Sequence, residues 1–177
     1  SNNQLRRTVM DYQTKVKQLF LDSGMIFTDE ELETIEFVDF GLGAIEVEGL
    51  NLFVYENNER YCGKELALLP YQTCPEHRHP PRKNDLGKRE TFRCRKGIVY
   101  LYVEGEEPEV LSCELPENNQ ATYTVRKEIV LRPGDQYTIE PNIKHWFQAG
   151  ETGALVTEFS SSSDDASDIF TNPMIQR

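Results

Sequence analysis

The chain has 177 residues, with 30 Asp/Glu against 19 Lys/Arg and a formal net charge of -11. That length suits one domain around one substantial core, and the negative balance argues against nucleic acid or an anionic membrane as partner, because both are bound by positive surfaces that replace their counterions. No run of about 18 apolar residues and no charged-then-apolar leader occurs, so neither a membrane span nor a signal peptide is expected.

From Thr8 to Leu21 the apolar residues Val9, Tyr12, Val16, Leu19 and Phe20 recur at helical spacing, and Ser23-Gly24 supplies a stop. "TDEE" follows, with Thr28 placed to cap a second short helix and Glu31 in the reciprocal position. Beyond about residue 36 come short runs rich in Val, Ile, Tyr, Phe and Thr. The predicted strands are "AIEVEG" (44–49), "LNLFVYE" (50–56), "KELALLP" (64–70), "ETFRCR" (90–95), "GIVYLYVEG" (97–105), "ATYTVRKEIVLR" (121–132), "QYTIEP" (136–141), "HWFQAG" (145–150) and "GALVTEF" (153–159). Turns such as "RKG", "RPGD" and "EPNI" join them at the spacing of an antiparallel sandwich or small barrel. "SSSSDDASD" (160–168) reads as a low-complexity stretch within the C-terminal end rather than a linker. The chain is thus a mostly β, single domain over 1–177, with a helical extension at 1–35 and a barrel with a C-terminal loop segment at 36–177.

Four cysteines, Cys62, Cys74, Cys94 and Cys113, show no C-x-x-C spacing and no disulfide framework, which places the chain in a reducing cytoplasm. Eight Lys/Arg crowd into residues 78–96, against three carboxylates between Glu76 and Lys96. Two of the three histidines lie in the same region.

His77 and His79 are two apart, so on a strand both imidazoles reach one point on one face. Alone, the pair equally suits an exposed loop. Glu90 opens a strand on the parity of Phe92 and Cys94, away from Arg93 and Arg95, so its carboxylate faces inward and needs a partner, either an arginine or a metal. His145 opens a strand on the parity of Phe147 and Ala149 and is either a hydrogen-bonded core histidine or a ligand. Together the four make an N3O set suited to Mn, Fe, Co, Ni or Zn.

Glu90 stands seven residues before Gly97, and Gly134 eleven before His145 with Pro141 between. These spacings resemble the two motifs of the cupin superfamily, whose metal sits inside a conical antiparallel β-barrel of jelly-roll type. The resemblance implies His77, His79, Glu90 and His145 as metal ligands. The chain departs from the usual pattern in having ten residues between His79 and Glu90, which makes "PPRKNDLGKR" an enlarged loop at the barrel mouth, and in Ile143, where the second motif often has Gly.

"EHRHPPRKNDLGKRETFRCRKGIVYLY", "RPGDQYTIEPNIKHWFQAG" and "TEFSSSSDDASDIFTNP" more specifically resemble the small cupin-type D-lyxose isomerases. That resemblance implies a metal-dependent aldose–ketose isomerase, with Mn the usual metal, interconverting free sugars: D-lyxose and D-xylulose, with D-mannose and D-fructose as further candidates. The reaction moves hydrogen between C2 and C1, and this needs a base. Glu158 shares strand parity with Ala154 and Val156 and is the candidate base, ahead of Glu90; a solvent-facing strand-end carboxylate is the alternative. Lys88 resembles the lysine of the family's K-x-E and is a candidate proton donor or sugar-oxygen ligand, or else a loop lysine in water. Asp168 resembles an acidic residue of the family's C-terminal segment and is a candidate for sugar hydroxyls, with Asp164 and Asp165 close by. With Glu90 these make the substrate set Lys88, Glu90, Glu158 and Asp168.

Three other readings stay open at this point: a cupin phosphosugar isomerase, which the basic stretch would suit; a Mn or Fe cupin oxygenase; and a non-catalytic sugar-binding cupin. The helix and first strands precede the barrel and are placed to lie across a second subunit, so a homodimer is expected.

Overall fold

A computed structural model describes all 177 residues. Helix α1 spans Asn2–Asp22, six residues earlier than the apolar period indicates, because Ser1 caps it with its hydroxyl on Gln4 N at 3.3 Å. Gln4, Leu5, Arg6 and Arg7 are good helix formers, but residues 2–7 have no apolar stripe, so periodicity is silent there. Tyr12, Val16 and Phe20, four apart, are its buried face, whereas Val9 is exposed, contrary to the expected pattern. Helix α2, Asp29–Glu33, carries the expected capping box: Glu31 N donates to Thr28 Oγ1 at 3.0 Å and Thr28 N to Glu31 Oε1 at 2.8 Å.

Nine strands follow: β1 Glu36–Val38, β2 Leu50–Asn57, β3 Cys62–Leu68, β4 Thr73–Arg78, β5 Glu90–Val103, β6 Lys127–Leu131, β7 Gln136–Ile139, β8 His145–Ser160 and β9 Ile169–Phe170. All strand pairings are antiparallel. One predicted strand fails, and so does the first half of another, whose second half is β6. "AIEVEG" is a turn, since the amides of Val47 and Glu48 both bond Ala44 O and only Glu48 bridges to another segment, at Thr73. "ATYTVR" is a 3-10 turn and coil, because the amides of Thr124 and Val125 bond the Glu76 carboxylate instead of a neighbouring strand.

The predicted turns after Arg95 and Gly150 prove to be corners within single strands. β5 and β8 pair along their whole lengths with bulges at Cys94/Lys96 and Gly97/Val99. The nine strands form one curled sheet, and each of these two long strands serves both of its halves, the first and second sheets. Glu90–Gly97 and Ala154–Ser160 join β1, β2, β3 and β7, while Val99–Val103 and His145–Ala149 join β4, β6 and β9. Bulges bend strands and raise their twist, which curls the assembly. At the corner Gly97 has φ +74, and a Cβ there would lie 2.0 Å from Gly153 O, so only glycine fits.

The inner faces of the two sheets enclose the main core, including Leu66, Leu68, Phe92, Leu101, Phe147 and Val156. α1 covers the outer face of the first sheet, where Tyr12, Val16 and Phe20 meet Phe53, Ala67 and Leu155; full burial of each large apolar side chain is worth about 1.5–3 kcal/mol. The strap 104–126 covers the second sheet: Tyr102 stacks on Trp146 at 4.1 Å between ring centroids, and Trp146 Nε1 donates to Val125 O at 2.6 Å. One mouth of the curled sheet stays accessible, and the histidine pair lies there.

Candidate active site

β4 carries His77 inward, and His79 lies one residue past the end of the strand with its ring on the same side, the two ring centroids 4.9 Å apart. β8 begins with His145 directly opposite His77, and β5 begins with Glu90 on the inward parity, next to Phe92. The four ligand atoms lie within 4.8 Å of one another, and all four residues are buried.

Each histidine presents an Nδ1 to an oxygen: His77 to Pro75 O at 2.8 Å, His145 to Ile143 O at 2.9 Å and His79 to Asp168 Oδ1 at 2.6 Å. An imidazole whose Nδ1–H is engaged in this way turns its Nε2 lone pair to the opposite side, the arrangement that metal-ligating histidines need. Glu90 Oε1 lies 2.9 Å from His145 Nε2 and 3.2 Å from His79 Nε2. Because His145 Nδ1 already donates, its Nε2 faces a carboxylate as acceptor to acceptor, and it has no hydrogen-bond partner in the protein. A cation between these groups resolves the conflict. The N3O donor set therefore fits a divalent metal, and the cluster could hold one.

The electrostatics of His77 and Glu90 agree, while His79 has to give up a proton to ligate. Burial pushes the His77 pKa well below the ordinary value, helped by His145 and His79, which keeps it a neutral imidazole. Burial also opposes charge on Glu90, but Lys88 and His79 outweigh it and hold the carboxyl well below the usual range. On His79 burial is outweighed by Glu90 and Asp168, which raise its pKa to about 9.

Lys88 is not a loop lysine in water. It is buried, with Nζ 2.8 Å from Glu158 Oε2 and 3.1 Å from Glu90 Oε2. These two carboxylates outweigh the desolvation that opposes its charge, so it is held firmly as an ammonium. Glu158 is likewise buried, on the inward parity of Ala154 and Val156, with Phe92 and Lys64 as its cross-strand neighbours. The enlarged loop 80–89 drives Lys88 inward: Arg82 donates to Ser162 O at 2.9 Å, and Arg89 N and O bond the hydroxyl and amide of Ser161, each at 3.0 Å.

Asp168 reaches the site with one carboxylate oxygen on His79, while Asp165 takes the place farther along the cavity. Asp165 lies 2.9 Å from the Arg177 guanidinium and 3.7 Å from Lys64 Nζ, and Arg177 also pairs with Glu36 at 2.8 Å. Lys64 and Arg177 escape the sequence reading. For Lys64 a signal existed, since it alternates with Leu66 and Leu68 on the buried parity of β3; Arg177 lies just past the last motif and carried none. An apolar wall of Phe40, Leu52, Leu66, Phe92, Phe147 and Phe170 completes a cavity of about 430 Å3, its open mouth included.

The basic stretch 78–96 does not converge on this cavity. Arg78 bonds Asn142, Arg89 pairs with exposed Glu140, Arg93 bonds Gln136 and Lys96 bonds Asp22 O. Of its eight cations only Lys88 lines the cavity, and two glutamates already engage it.

Comparison with known proteins agrees with this geometry. Residues 29–177 match the family model described as D-lyxose isomerase. The D-lyxose/D-mannose isomerase of Thermosediminibacter oceani is 59% identical over 169 residues, covering 96% of this chain and 93% of the relative. The D-lyxose ketol-isomerase of Cohnella laeviribosi is 56% identical over 163 residues, covering 92% and 90%. In fold, the chain is similar to the L-ribose isomerase of Cellulomonas parahominis, with a TM-score of 0.78 at 16% identity over 96% of this chain and 93% of that one. An RmlC-like cupin from Shewanella frigidimarina gives 0.50 at 15% identity over 80% and 93%. The barrel is a cupin, and the chain belongs to the D-lyxose isomerase family.

Proposed function

We infer that this single cupin domain is an aldose–ketose isomerase acting on free D-lyxose and D-xylulose, with D-mannose and D-fructose as further substrates, and with Mn on His77, His79, Glu90 and His145. The observation that carries the reading is the Lys88–Glu158 pair at 2.8 Å, with Lys88 also on Glu90 at 3.1 Å: base, ammonium and metal cluster share one buried cavity. A bound divalent cation supplies Lewis-acid stabilisation of negative charge on the sugar oxygens. Glu158 takes the C2 proton and returns it to C1. Lys88 orients Glu158 through their 2.8 Å contact and donates to the oxygen that gains charge. Burial of these side chains strengthens these interactions.

Charge balance favours a free sugar over a phosphosugar. Lys64 and Arg177 are matched by Asp165 and Glu36, and the remaining cations of the basic stretch point elsewhere, so no uncompensated positive cluster faces a phosphate dianion. Three of the four free cysteines are buried, in keeping with a cytoplasmic protein. α1 packs on its own sheet, and its outer side leaves Leu5, Val9 and Met10 exposed as the surface for a homodimer, which light scattering of the eluted protein tests.

The deciding experiment incubates Mn-loaded protein with D-lyxose in heavy water under argon. The expected product is D-xylulose carrying solvent deuterium at C1. Turnover of phosphorylated sugars alone, dependence on oxygen, or sugar binding without interconversion would each reject the assignment, and product free of deuterium would reject Glu158 as base.

A further inference from the structure

The mechanism leaves three buried glutamates unused, Glu48, Glu65 and Glu76, and of these only Glu76 adjoins a residue of the four-residue cluster. Glu76, beside His77 on β4, is 1% exposed and has no cation within ion-pair distance. Burying a charge without a counter-ion is costly unless several donors satisfy it, and four do. Oε1 accepts from Thr124 N at 2.7 Å and Val125 N at 2.8 Å; Oε2 accepts from Thr124 Oγ1 at 2.8 Å and from Thr171 Oγ1. One side chain thus ties two segments distant in sequence, the strap 104–126 and the C-terminal segment, to the strand that bears His77.

The C-terminal segment is the one that closes on the metal cluster. Asp168 holds His79 Nδ1, and Phe170 lies opposite His77 in the β4–β9 ladder with its ring 5.4 Å from the imidazole. β9 has only two residues, with two register pairs to β4, so strand pairing alone fixes it weakly. Thr171 is the next anchor along the chain, with its backbone N donating to Glu76 O at 3.2 Å and its hydroxyl to the Glu76 carboxylate.

We propose that Glu76, through Thr171, is a positioning residue that fixes the C-terminal segment so that Asp168 holds the His79 ring in its ligating orientation. The inference rests on the metal reading of the four-residue cluster. Second partners of ligating histidines are worth about 10- to 100-fold in metal affinity, and Thr171 acts one step further out.

The test titrates Mn2+ into chelator-stripped full-length protein, following free Mn2+ by its paramagnetic resonance, for the wild type, Thr171→Val, Thr171→Ser, Asp168→Asn and the double variant Thr171→Val/Asp168→Asn. The valine has the threonine's shape without its hydroxyl, and the serine restores the hydroxyl. Expected are a Kd raised about tenfold or more in Asp168→Asn, about threefold to tenfold in Thr171→Val, and close to the wild type in Thr171→Ser, with the double variant no weaker than Asp168→Asn. Wild-type affinity in Thr171→Val, equal losses in valine and serine variants, or additive losses in the double variant would overturn the proposal. Should Thr171→Val not fold, the serine variant and Asp168→Asn still decide, since a serine as weak as Asp168→Asn contradicts a role for the hydroxyl. Absence of stoichiometric Mn2+ binding in the wild type is a different failure, that of the metal reading itself.

Discussion

Replacing Glu158 by Gln separates a base from an ion-pair partner. Glu158 accepts from Lys88 at 2.8 Å in a buried setting, and Lys88 keeps a second carboxylate at 3.1 Å, so the glutamine amide leaves neither an unpaired lysine nor a cavity. The stability loss is the difference between a charged and a neutral hydrogen bond, about 1–2 kcal/mol. Metal binding should stay intact, since Glu158 is outside the four-ligand cluster. Loss of general-base catalysis lowers turnover by about 10²–10⁴, or about 2.7–5.4 kcal/mol of barrier. The assay pairs elemental analysis of purified Glu158→Gln with ketose formation from D-lyxose at saturating Mn. Bound metal with turnover within tenfold of the wild type would show that Glu158 merely balances charge; metal loss would place it among the ligands.

Lys88→Met should be the more damaging change to the fold, because it leaves Glu90 and Glu158 buried without their shared cation; metal-free protein should lose about 3–5 kcal/mol in urea denaturation, with part recovered on adding Mn. His145→Ala should abolish metal binding and turnover together, and with them the chelator sensitivity of the melting temperature. In the wild type, stripping metal present at about 100 times its Kd removes about 2.7 kcal/mol, read as a fall of roughly 5–10 °C at about 2–4 °C per kcal/mol; an unchanged melting temperature would contradict a metal held by the native state. Gly97→Ala should cost about 3 kcal/mol or more, since its Cβ would meet Gly153 O at 2.0 Å. Gly24→Ala, also at positive φ but with open space around it, should cost only about 1 kcal/mol; equal losses at the two positions would mean that the strand corner is not rigid.

Local pattern was enough for α2, whose capping box involves side chains three residues apart, and for the buried faces of β5 and β8, where alternation alone put Glu90, His145 and Glu158 inward. It also narrowed the candidate ligands to three histidines and one inward glutamate, and the resemblance to cupins implied that these act together. Pattern failed where distant groups decide the conformation. "ATYTVR" has every mark of a strand, yet a carboxylate some fifty residues away takes its amides; the corners at Gly97 and Gly153 read as turns, because nothing local reveals that β5 and β8 bend together through both sheets. Residue types and their spacing determined which side chains are the candidates for the chemistry. Their partners, Lys88 between two glutamates, Asp168 on His79 and Arg177 on Asp165, were decided by tertiary structure alone, since a buried charge settles wherever folding brings its counter-charge, and that place is not written in sequence distance.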